Sequence, residues 1–209
     1  NAVKAYKIQD VVLVSSIDIY SSKAPNPLSE DDDYRNYDDH ISNGYILSKK
    51  FGEILSDLYV KEYGLRVYTP RPSNIYGSND HFDEATNRVI PSFIRKVFSD
   101  EPIEIWGDGS QRRQFIYVDD AVRAILAMIE KGYADKLNIS TNDQISIIEL
   151  AQFIYQLFNK KPNITLDVTK NVGIKNRILD TTKMDELIDF TPTSLEKGLI
   201  KTIKWYKNK

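Results

Sequence analysis

The chain has 209 residues, 41% apolar and 28% charged, with a net charge of −2. That length suits one large domain or two small ones with a sizeable core. The near-neutral balance argues against nucleic acid or a membrane surface as partner, while a few local arginines could still hold a small anion. With no cysteine and two histidines, His40 and His81, disulfides, cysteine nucleophiles and histidine or thiolate metal sites are excluded. No apolar run approaches the ~18 residues of a membrane span and no signal-peptide pattern is present, so a cytoplasmic protein is expected.

Taken in order, "NAVKAYKIQD" reads as the end of a helix running into a turn. "VVLV" (11–14) is a continuous apolar run, β-branched but for Leu13, suited to a central parallel strand covered on both faces. It leads into Ser15 and Ser16, with Asp18 two residues on. Residues 21–44 read as a long polar loop, and the acidic run at 30–33 as a solvated face. "YILSKKFGEILSDLYVKEYG" (45–64) is an amphipathic helix with Ile46, Phe51, Ile54, Leu55 and Leu58 at helical spacing and Gly64 as its stop.

"LRVYTPRP" (65–72) reads as a strand and 85–100 as a helix with Pro91 near its start. Strands are expected over 102–109, ending in a glycine turn, and over 113–118. Residues 119–132 read as a helix capped by aspartate and ended by Gly132. A strand over 136–141 precedes a helix over 146–158, where Ser146 and Glu149 fit a capping box. A strand over 163–168 and helices over 181–190 and 194–207 complete the chain. The glycosylation-like triplets at Asn138 and Asn163 read as coincidence. Strands alternating with helices predict an α/β sheet with crossover helices.

Tyr45 and Lys49 stand at i and i+4, one turn apart on one helix face. An ammonium beside a phenol favours the phenolate and readies it for proton transfer. By itself the pair also fits a surface tyrosine covering a lysine stem. Ser16 strengthens the functional reading, because it ends the strand before this helix, where open α/β sheets place their ligands.

Several stretches then resemble, in order, the extended short-chain dehydrogenase/reductase family of nucleotide-sugar epimerases, dehydratases and reductases. "VSSIDIY" resembles its serine strand, "YILSK" its tyrosine–lysine motif, and "RPSNIYG" (71–77) the strand end beside the nicotinamide. "RVIPSFIRK" (88–96), "WGDGSQRRQFIYVDDAV" (106–122) and "RILDTTKMDELIDFTPTSLEKGL" (177–199) resemble its substrate-side segments. The C-terminal half is most similar to GDP-fucose synthase-type members.

The resemblance implies the C-terminal portion of a doubly wound, Rossmann-like parallel sheet plus a smaller α/β substrate lobe. Residues 1–77 with 113–145 would form the nucleotide-binding part, and 78–112 with 146–209 the lobe. It implies NAD or NADP as cofactor, a nucleotide-diphosphate sugar as substrate and a homodimer. The catalytic set would be Tyr45 as base, Lys49 as its tuner and ribose anchor, Ser16 as orienting hydroxyl, and Asp18 at the position that selects the reaction. Ser15, Tyr45, Lys49, Pro72, Ser73, Asn74 and Ile75 would contact the cofactor; Asn74, Arg88, Lys96, Trp106, Arg113 and Asp180 would contact the substrate. No metal is implied. Arginine suits a diphosphate because its planar fork makes paired, charge-assisted bonds; the plainer expectation for Arg113 is an ion pair with Asp119 or Asp120.

Two departures qualify this. The family's glycine-rich strand–turn–helix does not occur in these residues, so the chain is expected to be part of a longer one, to bind NAD(P) weakly alone and to expose the flank of a parallel sheet. Asp18 and Arg88 stand where GDP-fucose synthases carry a cysteine and a histidine, and Ile17 stands where dehydratases carry an acid or a small polar residue. A 4-epimerase, which needs only serine, tyrosine, lysine and cofactor, is therefore placed slightly ahead. A 4-keto reductase, a non-catalytic nucleotide sensor and an inactive fragment are the alternatives.

Overall fold

The computed structural model describes residues 2–32, 44–85, 88–189 and 191–209. In chain order the elements begin with α1 (Ala2–Ala5), β1 (Asp10–Val12), a 3-10 turn (Ile17–Ile19), α2 (Gly44–Tyr63), β2 (Arg66–Pro72) and β3 (Asn74–Tyr76). Next come α3 (Val89–Phe98), β4 (Ile103–Trp106), β5 (Arg112–Arg113), β6 (Phe115–Tyr117), α4 (Val118–Glu130) and β7 (Lys136–Ile139). The last are β8 (Ile145–Ser146), α5 (Ile147–Leu157), β9 (Ile164–Asp167), β10 (Asn176–Arg177), α6 (Thr182–Leu187) and α7 (Leu195–Lys207). Part of the loop expected over 21–44, namely 33–43, lies outside the described residues.

The chain divides into two compact units: Asn1–Ser73, Asp120–Ser140 and Leu179–Thr191 form one, and Asn74–Asp119, Thr141–Ile178 and Pro192–Lys209 the other. These boundaries differ from those expected, since 74–77, 113–119 and 141–145 group with the second unit and 179–191 with the first.

The first unit is built on a parallel sheet in the order β1-β2-β7. β2 lies in the middle, buried from Val67 to Pro72, and carries two prolines, which remove ladder donors. The register shows where they are harmless. Leu13 and Ser15 donate to the carbonyls of Tyr68 and Pro70, so even-numbered β2 residues face β1. Thr69 and Ser73 donate to Asp135 and Ile139, so odd-numbered ones face β7. Both missing N–H groups thus fall on the β1 side, beyond the end of β1 itself. A small apolar cluster of Ile17, Ile19, Tyr20, Ala24, Leu28 and Leu179 packs within this unit.

Among the described residues the strand expected over 11–14 pairs on one side, with β2, and Val12 and Val14 are exposed, Val14 at 40%. The sheet flank is therefore open among the described residues, as the resemblance implied. On α2 the apolar stripe faces outward, with Phe51 at 61% and Leu55 and Leu58 also exposed. The residues it buries are Lys50 and Glu53. At Gly52 the helix lies against the sheet with room for a methyl, since a Cβ there would stand an ordinary 3.4 Å from Leu13. Glu30, expected on a solvated face, turns inward, its carboxylate accepting the Asn138 amide at 2.8 Å. Asn138 itself is fully buried, which disposes of its glycosylation triplet.

In the second unit α3, α5 and α7 contribute Ile90, Ile94, Ile154, Leu199 and Ile203 to one core with β4 and β6. β3 pairs with β6 and β4 with β9, both parallel, while β5 lies between parallel β10 and antiparallel β8. The capping box at α5 forms as predicted, Ser146 and Glu149 exchanging backbone and side-chain bonds. The single strand expected over 113–118 is instead two, interrupted at Gln114, whose buried amide donates to the Thr141 carbonyl at 2.9 Å. α4 begins at Val118, so Asp119 and Asp120 lie in its first turn rather than before it.

Candidate active site

The strand from β1 leaves the sheet at Ser15 and turns at once. Ser16 caps the 3-10 turn, its Oγ accepting the Asp18 amide at 3.1 Å. The same hydroxyl lies 3.4 Å from Asp18 Oδ2, a long hydrogen bond. Ser16 and Asp18 thus sit together at the carboxyl end of the strand.

Tyr45 stands in the first turn of α2, 53% exposed, and no described residue hydrogen-bonds its hydroxyl. Lys49 lies 5.6 Å from the centre of the Tyr45 ring and donates through Nζ to the Val14 carbonyl at 2.8 Å. Even-numbered residues of the first strand face its open edge, so this carbonyl takes an ammonium where a strand would otherwise donate. The tyrosine–lysine pair is therefore brought to the strand end carrying Ser16, although Ser16 and Tyr45 do not hydrogen-bond each other. Pro72 and Ser73 end the neighbouring strand β2, where Ser73 Oγ accepts from Ser140 Oγ at 2.7 Å.

Beneath these groups lies a buried polar network that hydrophobic patterning did not reveal. Ser15 Oγ donates to Glu53 Oε1 at 2.5 Å. Arg71 grips the same carboxylate with two donors, Nε to Oε1 at 3.0 Å and NH2 to Oε2 at 2.7 Å. Its remaining nitrogen donates to the Tyr20 hydroxyl at 2.9 Å, which passes its own proton to Asn138 Oδ1 at 2.6 Å. Burial pushes the Tyr20 hydroxyl well above the usual tyrosine range despite the nearby Arg71. Burial also works against the Arg71 charge, but the Glu53 carboxylate outweighs it and holds the guanidinium protonated. Two signals were in the sequence: Glu53 continues the i, i+4 series of Tyr45 and Lys49, and Arg71 is a charge near the carboxyl end of β2, within its buried stretch from Val67 to Pro72.

The second unit holds the other expected contacts. Asn74 donates from Nδ2 to the Gln114 carbonyl at 2.9 Å. Arg88, at the start of α3, bonds the Asp80 carboxylate and the Ile75 carbonyl, beside a cavity of about 200 Å³ lined also by Gly77, Ser78 and His81. Lys96 is half-buried on α3. Trp106 is exposed at the end of β4, its indole N–H donating to Glu104 at 3.0 Å with Lys170 over its ring. Arg113 donates to the carbonyls of Ile174 at 2.7 Å and Lys175 at 3.1 Å, while Asp120 takes Arg123. Asp180 belongs to the first unit, where the Thr182 hydroxyl and amide hold its carboxyl below the usual range.

Residues 1–140 match the family model described as the NAD dependent epimerase/dehydratase family. The chain belongs to this family. Within it, the chain is 42% identical over 207 residues to dTDP-4-dehydro-6-deoxy-D-allose reductase from Streptomyces sp, covering 99% of this chain and 64% of that protein. It is 26% identical over 214 residues to GDP-L-fucose synthase from Escherichia coli, covering 95% of this chain and 67% of that protein. Among solved structures, UDP-N-acetylglucosamine 4-epimerase from Methanobrevibacter ruminantium M1, in complex with UDP-N-acetylmuramic acid, superposes with a TM-score of 0.88 at 26% identity, covering 99% of this chain and 66% of that chain. The chain thus spans about two thirds of the length of these epimerase/dehydratase relatives. The Rossmann-like fold expected from sequence is borne out by the parallel sheets and these likenesses. No helix among the described residues is long and apolar enough to cross a membrane.

Proposed function

We propose that the complete protein is an NAD(P)-dependent 4-keto reductase of a nucleotide-diphosphate sugar. The carrying observation is the exposed Tyr45 phenol beside the Lys49 ammonium, tied by Val14 to the strand end that holds Ser16. The direction of the chemistry is supported by 42% identity to a 4-keto-sugar reductase along 99% of the chain.

The donor set fits the ribose and nicotinamide end of such a cofactor. One of the three Lys49 N–H donors meets Val14, and the Tyr45 hydroxyl has no described partner. Tyr45 and Lys49, with Pro72, Ser73, Asn74 and Ile75, would hold it, and when bound it supplies the hydride that reaches C4; Ser15, expected among them, is buried with its hydroxyl on Glu53. As the carbonyl becomes an alcohol, Tyr45 gives its phenolic proton to the oxygen, and the Lys49 ammonium stabilises the phenolate left behind. Ser16 donates a hydrogen bond to the same oxygen, with Asp18 orienting it. Ile17, an aliphatic side chain, adds no second acid. Asn74, Arg88, Lys96, Trp106, Arg113 and Asp180 are assigned to the nucleotide-diphosphate sugar. A cytoplasmic homodimer completes the reading, with the exposed apolar stripe of α2 as the dimer face.

The 4-epimerase placed ahead on sequence is the second reading, favoured by the fold likeness to a UDP-sugar 4-epimerase. The two differ in cofactor balance: a reductase consumes one NAD(P)H per product, an epimerase none. Assays of the complete protein on dTDP-, UDP- and GDP-linked 4-keto and 4-hydroxy sugars separate them. In either case Tyr45→Phe is expected to lower turnover by a factor of about 10² or more while the cofactor still titrates onto the variant through its other contacts. Undiminished turnover in that variant overturns the assignment.

A further inference from the structure

We propose that Ser15, Glu53 and Arg71 are positioning residues that set the tyrosine–lysine pair against the Ser16 hydroxyl. This rests on the proton-transfer role given above to Tyr45, Lys49 and Ser16.

Tyr45, Lys49 and Glu53 stand at i, i+4 and i+8 on α2 and form one stripe along the helix. Two of the three are tied to the end of the first strand, Lys49 to the Val14 carbonyl and Glu53 to the Ser15 hydroxyl. A rigid helix fixed at two points along a stripe cannot slide and can only roll about the line that joins them; Tyr45 continues that stripe, so it is placed as well. Arg71 closes the triangle by fixing the same carboxylate to β2 with two bonds.

Each corner adjoins a residue assigned to the reaction. Ser15 precedes Ser16, Glu53 follows Lys49 by one helical turn, and Arg71 precedes Pro72. The three elements that carry the site are therefore held together by one buried carboxylate, fully enclosed and accepting three hydrogen bonds. The Ser15 hydroxyl is the corner that can be removed most gently. Without it Glu53 Oε1 still accepts from Arg71 Nε, and the ion pair survives. What is lost is one of the two links between the helix and the Ser16 strand end, leaving Lys49 on the Val14 carbonyl as the other.

The experiment is steady-state kinetics on the complete protein with NAD(P)H and the 4-keto nucleotide sugar. Ser15→Ala is expected to lower kcat by about ten- to a hundredfold, the scale of a sub-ångström to one-ångström misplacement, with KM changed by less than about twofold. Ser15→Thr keeps a hydroxyl on Cβ and is expected to restore kcat to within about threefold of the parent. A residue acting only through stability would lower the melting temperature without this split or rescue. Should Ser15→Ala not fold, Ser15→Cys, of similar size and a weak donor, takes its place with the same expected loss of kcat. Parental kcat in a folded Ser15→Ala or Ser15→Cys protein overturns the positioning role. If Tyr45→Phe is inactive while Ser15→Ala is unaffected, the functional reading stands and only this inference falls. If Tyr45→Phe retains full activity, the functional reading falls, and this inference with it.

Discussion

Arg71 and Glu53 meet as a two-pronged ion pair with side-chain exposures of 3% and 0%. Both charges are out of water, so neither tolerates loss of the other. Arg71→Met alone is expected to destabilise the protein by about 3–5 kcal/mol, because it leaves a buried carboxylate with one donor. Combining it with Glu53→Leu removes the stranded charge and recovers much of that loss. Urea unfolding of the parent, the single and the double variants checks this, and a double variant less stable than Arg71→Met contradicts it.

Two helical glycines predict opposite outcomes. At Gly198 in α7 an added Cβ would lie 2.1 Å from the Tyr76 hydroxyl, and Tyr76 is buried. Gly198→Ala therefore overpacks a closed core and should cost about 1–3 kcal/mol. At Gly52 in α2 the nearest atom to a new Cβ is Leu13 Cδ2 at 3.4 Å. Gly52→Ala should instead stabilise by about 0.5–1 kcal/mol through helix propensity. Thermal melts of the two variants should move in opposite directions.

The apolar stripe of α2 leads to an association test. Phe51, Leu55 and Leu58 are exposed at 61%, 41% and 48% on a helix whose buried side is polar. Phe51→Glu with Leu55→Glu should shift the complete protein toward the monomer in sedimentation velocity, with circular dichroism unchanged. A dimer that persists in this variant places the interface elsewhere.

Acid should unfold the protein in part through its helix caps. The Ser146 amide and hydroxyl hold Glu149 below the usual carboxyl range, and the Thr182 hydroxyl and amide do the same for Asp180. A carboxyl with a lowered folded pKa contributes stability above its unfolded value, near ~4, and loses it as pH falls through the folded value. The melting temperature should therefore drop between about pH 5 and pH 3. Ser146→Ala, which costs about 1 kcal/mol as a lost cap, should flatten part of that slope. An unchanged slope removes Glu149 from the account.

Element order was legible because helix and strand periods differ, and the α5 capping box was read to the residue. The direction of α2 was not. Periodicity tells which residues share a face, not what the face meets, and here the sheet side is small and charged. Gln114 hid the break between β5 and β6 because nothing in its neighbours marks a change of strand partner. The Ser16, Tyr45 and Lys49 positions were legible from spacing and chain order. Their support was not, because a charged residue reads as surface unless its buried partner, here many residues away, is known.

The Asn138 amide has a further consequence. It accepts from Tyr20 and donates to the carbonyls of Leu28 and Asp180, joining positions 118, 110 and 42 residues distant. Bonds that span so much chain cannot close until the segments they join are already in place. Interactions that form after the folding barrier act on the rate of escape rather than the rate of arrival. Asn138→Ala is accordingly expected to raise the unfolding rate and leave the folding rate near the parent's, as a clasp fastened last would; stopped-flow chevrons check this, and a slowed folding limb contradicts it.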